Sequence, residues 1–85
     1  RWADRDPAAA ARLSAVRTRL AAIAEERRLP IENLLQPDLV RRTCWRPPEP
    51  LSTDTVADAL RIGGAREWQI SLTSDALSTA LNGSG

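Results

Sequence analysis

The fold of this chain is decided by residues 29–42, which read Leu29-Pro30-Ile31-Glu32-Asn33-Leu34-Leu35-Gln36-Pro37-Asp38-Leu39-Val40-Arg41-Arg42. Each proline marks a new helix start, because proline fits the first helical position, where its missing N–H has no partner to lose. Asp38 is favourable beside the positive end of the second helix. The stretch therefore predicts a short helix over residues 31–35 and a second helix that begins at Pro37.

A long helix is predicted before this stretch. Asp6 is a good N-cap and Pro7 suits the first helical position. The helix should end near Arg28, because the residue that precedes Pro30 is pushed out of helical geometry. Helical spacing predicts one apolar face, formed by Ala9, Leu13, Val16, Leu20 and Ile23. The opposite face is small and uncharged, which would let another helix or domain approach closely; it comprises Ala11, Ser14, Ala15, Thr18 and Ala22.

Further helices are predicted after the stretch. Pro47-Pro48 ends the helix that begins at Pro37. Ser52 is the next N-cap, and Leu51 and Val56 have the spacing of a hydrophobic staple around it. We expect Val56, Ala59 and Leu60 to face inward and Gly63-Gly64 to end this helix.

The last part of the chain is predicted as a connector and a final helix. Apolar and polar residues alternate from Glu67 to Leu72, which indicates an extended or single-turn connector, since no second strand is available to pair with it. Thr73 is predicted to cap a last helix that ends at Gly83, with Leu77, Ala80 and Leu81 inward. The fold class is all-α, a compact bundle of four to five helices in one domain over residues 1–85. Residues 1–6 and 82–85 are expected to be flexible ends.

The composition supports a small helical domain. Of the hydrophobic residues, 14 are Ala and 11 are Leu, both of which lose little on entering a helix. All 12 basic residues are Arg, and the net charge is +1. Residues 1–50 carry ten Arg against seven acids, and residues 51–85 carry two against four. The first half is therefore weakly basic, well short of the charge of a dedicated nucleic-acid binder.

Nothing in the sequence indicates a reaction centre. The closest pairs of acids, Asp4/Asp6, Glu25/Glu26 and Asp54/Asp58, are better explained as helix-start or solvated residues than as an acid/base pair. Cys44 is the only cysteine and there is no His, so a Cys-His nucleophile is excluded and a buried structural thiol is expected. Gly63-Gly64 matches no phosphate-binding loop. We expect no catalytic residue, no metal and no cofactor in this chain.

The arginines are the remaining candidates for function. Arg41, Arg42 and Arg46 surround Trp45, while Arg12 and Arg19 form a second row with Arg5 on the first helix. Guanidinium groups bind phosphate with two donors at once, and a neighbouring aromatic ring can stack on an unpaired base. The alternative is structural: Trp45 completes the core, and the arginines pair with Glu32, Asp38 or Glu49. Trp68 is predicted to be buried. Trp2 is predicted to pack on the first helix or on another domain.

The chain resembles the HRDC domain at the C terminus of actinobacterial ribonuclease D-like proteins. The likeness spans nearly the whole sequence and rests on residues 12–42, Trp45-Arg46-Pro47-Pro48, Gly63-Gly64-Ala65-Arg66-Glu67-Trp68-Gln69 and Leu77-Ser78-Thr79-Ala80-Leu81. The resemblance implies a five-helix bundle in a parent 3′–5′ exoribonuclease, whose separate N-terminal domain holds the acidic residues that bind divalent metal. No residue of this chain matches those acids.

Function is predicted from the arginines and the resemblance together. The chain is expected to be a non-catalytic accessory domain that holds single-stranded nucleic acid, RNA rather than DNA, for the exonuclease domain of the same protein. A first alternative is a helical module that docks on that domain through the uncharged face of the first helix. A second is the HRDC domain of a RecQ-type helicase. Because the chain begins with Arg1 and ends in Asn82-Gly83-Ser84-Gly85, we expect a piece of a longer protein. The single cysteine fits a cytoplasmic setting, and no apolar run is long enough to cross a bilayer, so we expect a cytoplasmic protein with no membrane contact.

Overall fold

The computed structural model describes residues 5–83, which form five helices. These are α1 (Pro7–Arg27), α2 (Ile31–Leu34), α3 (Pro37–Trp45), α4 (Thr53–Ile62) and α5 (Glu67–Gly83). The predicted all-α bundle is confirmed. Trp2 and parts of the predicted flexible ends, residues 1–4 and 84–85, lie outside the described residues. Of the other end residues, Asp6 caps α1, and Asn82 and Gly83 form the last turn of α5.

Local signals set the ends of α1 as predicted. The Asp6 carboxylate accepts a hydrogen bond from the Ala9 N–H at 3.0 Å. At the other end, Arg28 adopts a left-handed conformation with φ 56°, and its N–H bonds back to the carbonyls of Ala24 and Glu25. A left-handed residue at this position is the usual way to satisfy the last carbonyls of a helix, although Gly is the residue that normally supplies it.

The core lies between α1, α4 and α5, with α2 and α3 closing one side. Helix α5 packs most extensively against α1 and α4, and α3 packs mainly against α1. The largest fully buried side chains come from four helices and are Leu20, Leu34, Leu60 and Leu77. The predicted α1 face is confirmed, with Ala24 as a further buried residue: Ile23 is half-buried and packs at the edge of the core, because the buried side of α1 is centred on Leu13 and Leu20.

The start of α4 follows the predicted cap. The Ser52 hydroxyl accepts from the Thr55 N–H at 3.1 Å, and the Thr55 hydroxyl accepts from the Ser52 N–H at 2.9 Å. These reciprocal bonds satisfy two N–H groups at the helix start. Val56 and Leu60 are buried and Ala59 is half-buried. The predicted inward face of α4 is therefore confirmed, with Ala59 at its edge.

The predicted connector before the last helix is wrong. Helix α5 begins at Glu67, six residues before Thr73, and runs through the alternating segment. Thr73 is therefore no cap: it is fully buried inside the helix, and its hydroxyl donates to the Gln69 carbonyl at 2.7 Å. Leu72 and Leu77, which have the spacing of a hydrophobic staple around Thr73, lie in mid-helix for the same reason. Leu77, Ala80 and Leu81 are buried as predicted.

Gln69 fixes the true start of α5. Its side-chain oxygen accepts from the Arg66 N–H at 2.7 Å, so a side chain one turn into the helix reaches back to the capping residue. The other end of the same amide donates to the Asn33 carbonyl at 2.9 Å. One side chain thus holds the start of α5 and attaches it to α2.

The turn between α4 and α5 is short and is spanned by ion pairs. Gly63 follows the last residue of α4 and lies close to the Leu39 side chain of α3. Gly64 has φ +98°, a conformation that suits glycine. Arg61 donates to Glu67 at 2.7 Å and to Asp58 at 2.9 Å. The hydrogen bond from Arg61 holds the pKa of Glu67 below its usual range. All three side chains are exposed, so this bracing contributes little to stability.

Candidate nucleic-acid interface

The predicted site falls on the outward side of α3. Asp38, Arg41, Arg42 and Trp45 have the spacing i, i+3, i+4 and i+7, which places them on one side of a helix. We call these four residues the α3 outer face. The opposite side of the helix is buried in the core and consists of Leu39, Val40, Thr43 and Cys44.

The two arginines of the α3 outer face are differently engaged. Arg41 Nη2 lies 2.7 Å from Asp38 Oδ1; the Asp38 side chain is exposed and the Arg41 side chain is half-buried. Arg42 points its Nε toward the Asp38 carbonyl at 3.4 Å and is otherwise exposed. The pairing of an arginine with Asp38, which the sequence left open, is therefore present for Arg41. The outer face keeps a surplus of one positive charge.

Trp45 is half-buried, so part of its ring contacts the protein and part faces solvent. This position lies between the two roles that the sequence left open, completion of the core and stacking on a base. A partly exposed aromatic ring beside arginines can do both.

Arg12 joins α1 to the end of α3. Its Nε donates to the Cys44 carbonyl at 2.6 Å, across 32 residues of chain. A cation is favourable at the negative end of a helix dipole, so Arg12 has a structural role at the C-terminal end of α3. The contact also places the Arg12 guanidinium beside the turn of α3 that carries Trp45 and Arg46. Of the predicted arginines on α1, Arg12 therefore reaches this end of α3.

Arg46 and Arg19 complete the predicted set. Both are exposed, and within residues 5–83 neither side chain forms a hydrogen bond or an ion pair. Arg46 follows α3 as its C-cap. Arg19 lies seven residues beyond Arg12, about 10 Å along α1. The structure thus brings together Arg12, Trp45 and Arg46, keeps Arg41 and Arg42 on the same helix, and places Arg19 further away.

Cys44 is buried beneath this surface. The side chain is 1% exposed, as the sequence predicted for a structural thiol. Burial raises the pKa of the Cys44 thiol from 9.0 to about 11, because a thiolate loses its hydration there. Arg12 and Arg17 oppose this rise by stabilising the thiolate, but they do not overcome the burial.

We expect Cys44 to resist thiol reagents at pH 8 in the folded domain and to react readily in urea, since the thiolate is the reactive form. The raised pKa also predicts a pH dependence of stability. The unfolded thiol loses its proton first, near pH 9, so the free energy of unfolding falls as the pH rises from about 9 toward 11. The loss approaches about 2 to 3 kcal/mol.

This pH dependence can be measured by urea unfolding at pH 8, 9.5 and 11. The variant Cys44→Ala serves as the control, because it has no thiol and should lose less stability over the same range. Rapid labelling of the folded protein at pH 8 would contradict a buried, protonated thiol.

The sequence prediction for Trp68 is wrong. The residue is 47% exposed and lies on the side of α5 opposite the buried Ile70 and Leu77. It was predicted to be buried because large apolar side chains usually lie in the core. Arg66, next to it, is exposed and has no ion pair within residues 5–83. Ile62, at the end of α4, is 88% exposed and is the other large hydrophobic side chain on the surface of residues 5–83. Exposed Ile62 and Trp68 are signs of a contact surface that the sequence did not reveal.

The structure gives two further observations on ligands and membranes. Across residues 5–83, no three Cys, Asp or Glu side chains converge in a way that could hold a metal ion. In the same part of the chain, every helix is too short or too polar to cross a membrane. The expectations of no cofactor and no membrane contact stay predictions.

The fold and the exposed arginines define a small helical module with a basic outer face. A family model for the 3′ to 5′ exonuclease C-terminal domain matches residues 1–81. The chain therefore belongs to the family of 3′ to 5′ exonuclease C-terminal domains, and the resemblance found in the sequence is confirmed at that level.

A solved structure shares the fold. The chain is 38% identical to a protein from Bifidobacterium adolescentis and superimposes with a TM-score of 0.84. The match covers 95% of this chain and 19% of that protein. The chain thus spans about a fifth of the length of this relative. No curated protein is significantly similar to the chain.

Proposed function

We propose that the chain is a non-catalytic accessory domain that binds single-stranded nucleic acid for a ribonuclease D-like 3′–5′ exonuclease. Its ligand is RNA in preference to DNA, and its partner is the N-terminal exonuclease domain of the same protein, which holds the divalent metal. The parent protein is an actinobacterial, cytoplasmic enzyme of RNA processing. Membership of the exonuclease C-terminal family supports this proposal over a RecQ-type helicase.

The observation that carries the proposal is the α3 outer face together with Arg12 and Arg46. Arg42 and Arg46 are exposed, Arg41 is half-buried in an exposed ion pair, and Trp45 presents part of its ring among them. Guanidinium groups contact phosphates, and the ring offers a stacking surface for one base. Arg19, further along α1, would contact the strand beyond this cluster.

The proposal predicts weak, salt-sensitive binding that depends on α3. We expect fluorescence anisotropy with a labelled single-stranded RNA of about twelve nucleotides to detect binding at low salt. Each phosphate contact on a single strand contributes about 0.7 to the slope of log affinity against log salt, so three contacts give a slope near −2. The double substitution Arg41→Ala and Arg42→Ala should weaken binding about tenfold and flatten this slope by about one.

The matched control is Arg27→Ala with Arg28→Ala, because this adjacent arginine pair is also exposed but lies at the end of α1. It removes the same charge and should change the affinity by less than about twofold if α3 is the site. An equal loss in both double variants would mean that binding follows net charge alone. No binding at low salt with near-millimolar protein would refute the proposal.

Docking on the exonuclease domain is a second candidate, favoured by two exposed surfaces. Trp68 is partly exposed, and tryptophan often dominates the energy of protein interfaces. The uncharged face of α1 also faces solvent, except for the half-buried Ala15. If the domain docks there, a titration of the separately expressed exonuclease domain should saturate, and Trp68→Ala should weaken it at least tenfold. Unchanged binding of Trp68→Ala would exclude Trp68 from the interface.

A further inference from the structure

We propose that Asp38 is a built-in competitor for phosphate that lowers the affinity of the α3 outer face for nucleic acid. This inference rests on the proposed function, because it concerns the same surface. It adds a regulatory residue of opposite charge to the set of binding arginines.

The geometry places Asp38 where a phosphate would bind. Its Oδ1 lies 2.7 Å from Arg41 Nη2, which is the distance of a charge-assisted hydrogen bond. An open hollow of about 290 Å³ lies beside the pair and is lined by Gln36, Pro37, Asp38 and Arg41. A phosphate in this hollow would reach the Arg41 guanidinium from the side that the carboxylate already occupies.

The competition follows from the chemistry of the guanidinium. Arginine grips a phosphate best with two parallel donors, and the carboxylate already holds Nη2 of Arg41. An incoming phosphate must displace Asp38 or bind next to its negative charge. Both routes cost binding energy, since the first breaks an ion pair and the second brings like charges together.

The ion pair is not needed to hold the fold. The Asp38 side chain is 83% exposed and the Arg41 side chain 41% exposed, so water solvates both partners and the pair contributes little to stability. The carbonyl of Asp38, which faces Arg42, belongs to the backbone and is kept in any variant. Replacing the carboxylate should therefore change binding and leave the domain folded.

The test is Asp38→Asn in the RNA titration described above. The amide keeps the shape of the side chain but cannot hold Arg41 as a carboxylate does. We expect affinity to rise about threefold to fivefold at low salt, from an exposed pair at contact distance. The salt slope should become steeper by up to about 0.7, because Arg41, which Asp38 partly occupies in the wild type, then makes a complete phosphate contact on a single strand.

Asp54→Asn is the matched control. Asp54 occupies the second position of α4, as Asp38 does in α3, and it is exposed without an ion pair within residues 5–83. Both substitutions change the net charge and the helix-start interaction alike. If Asp38 competes locally, the change in affinity produced by Asp54→Asn should be less than about half of the change produced by Asp38→Asn.

A double-mutant cycle separates local competition from general electrostatics. In an Arg41→Ala background the pair no longer exists, so adding Asp38→Asn should give less than about a twofold change. An equal gain of affinity with and without Arg41 would overturn the inference. The inference would also be overturned if Asp38→Asn left the affinity for RNA unchanged while the double substitution Arg41→Ala and Arg42→Ala still weakened binding. If neither Asp38→Asn nor the double substitution Arg41→Ala and Arg42→Ala alters RNA binding, both this inference and the proposed function fail.

Discussion

Leu77→Ala is expected to destabilise the domain by about 3 kcal/mol, which lowers the melting temperature by roughly 12 to 24 °C for a domain of this size. Leu77 is fully buried on α5, the helix that packs against both α1 and α4. Truncation removes its apolar contacts and leaves a cavity that three rigid helices cannot close by a local shift. A small domain has only a few kcal/mol of stability, so this loss is a large part of the total.

Leu72→Ala is the matched control for this prediction. It makes the same chemical change on the same helix, at a half-buried position near the outward side. We expect a loss of about 1 kcal/mol, because less apolar area leaves the water-free core. Urea unfolding followed by circular dichroism measures both variants. Equal losses would show that α5 does not bury the side on which Leu77 lies.

Gly63→Ala is expected to destabilise the domain by about 1 to 3 kcal/mol through overpacking. A Cβ atom at this position would collide with Cδ1 of Leu39 on the neighbouring helix α3. Leu39 is buried, so it cannot swing into solvent without losing its own contacts. Backbone conformation is not the cause, since Gly63 has φ −75° and ψ 0°, which any residue adopts.

The collision can be tested in a background that lacks the colliding methyl group, where Gly63→Ala should no longer destabilise the domain. In a Leu39→Ala background the colliding methyl group is gone, so Gly63→Ala should be neutral or should stabilise by about 0.5 kcal/mol through the stiffer unfolded chain. Urea unfolding of the four proteins in this cycle gives the coupling between the two positions. A Gly63→Ala loss that is the same in both backgrounds would contradict the close approach of α3 and α4.

Gly64→Ala is the control for backbone strain at the same turn. Nothing lies within 4 Å of a Cβ atom added there, but Gly64 has φ +98°. We expect a loss of about 1 kcal/mol that is independent of Leu39, because an L-residue is strained in this conformation.

The helix starts that the sequence predicted correctly all depend on neighbouring residues. Asp6, Pro7, Pro37 and Ser52 act on the backbone within one turn, so their effect can be seen without knowledge of the fold. Most of the core followed from helical periodicity for the same reason. The full burial of Ala24 beside the half-buried Ile23 did not, since the exact direction of the α1 face depends on where α3 and α5 lie against it.

The start of α5 was missed because its signals are not local. Gln69 caps the helix by reaching back to Arg66, and its amide is oriented by Asn33, which is 36 residues away. Meanwhile, the alternation of Trp68, Ile70 and Leu72 imitates a strand, although only Ile70 is buried. Periodicity over six residues does not distinguish these two cases.

The candidate site, too, could be predicted only where its residues are close in sequence. That Arg41, Arg42 and Trp45 share a side of one helix follows from their spacing, and so does the pairing of Arg41 with Asp38. The contact between Arg12 and the Cys44 carbonyl depends on how α1 crosses α3, which no local pattern reveals. The binding role of these residues remains a prediction that the RNA titration will test.

The double attachment of Gln69 has a consequence for changes in chain length. Helix α2 and the start of α5 are tied to one amide, so the loop that enters α5 cannot be lengthened without affecting α2. Inserting a single residue between Gly64 and Arg66 would therefore disturb α2 as well as its own loop. The Pro50 carbonyl accepts a hydrogen bond from the Thr55 hydroxyl of α4. Natural variation in loop length should therefore accumulate between Pro47 and Glu49, where no side-chain hydrogen bond is present within the described part of the chain.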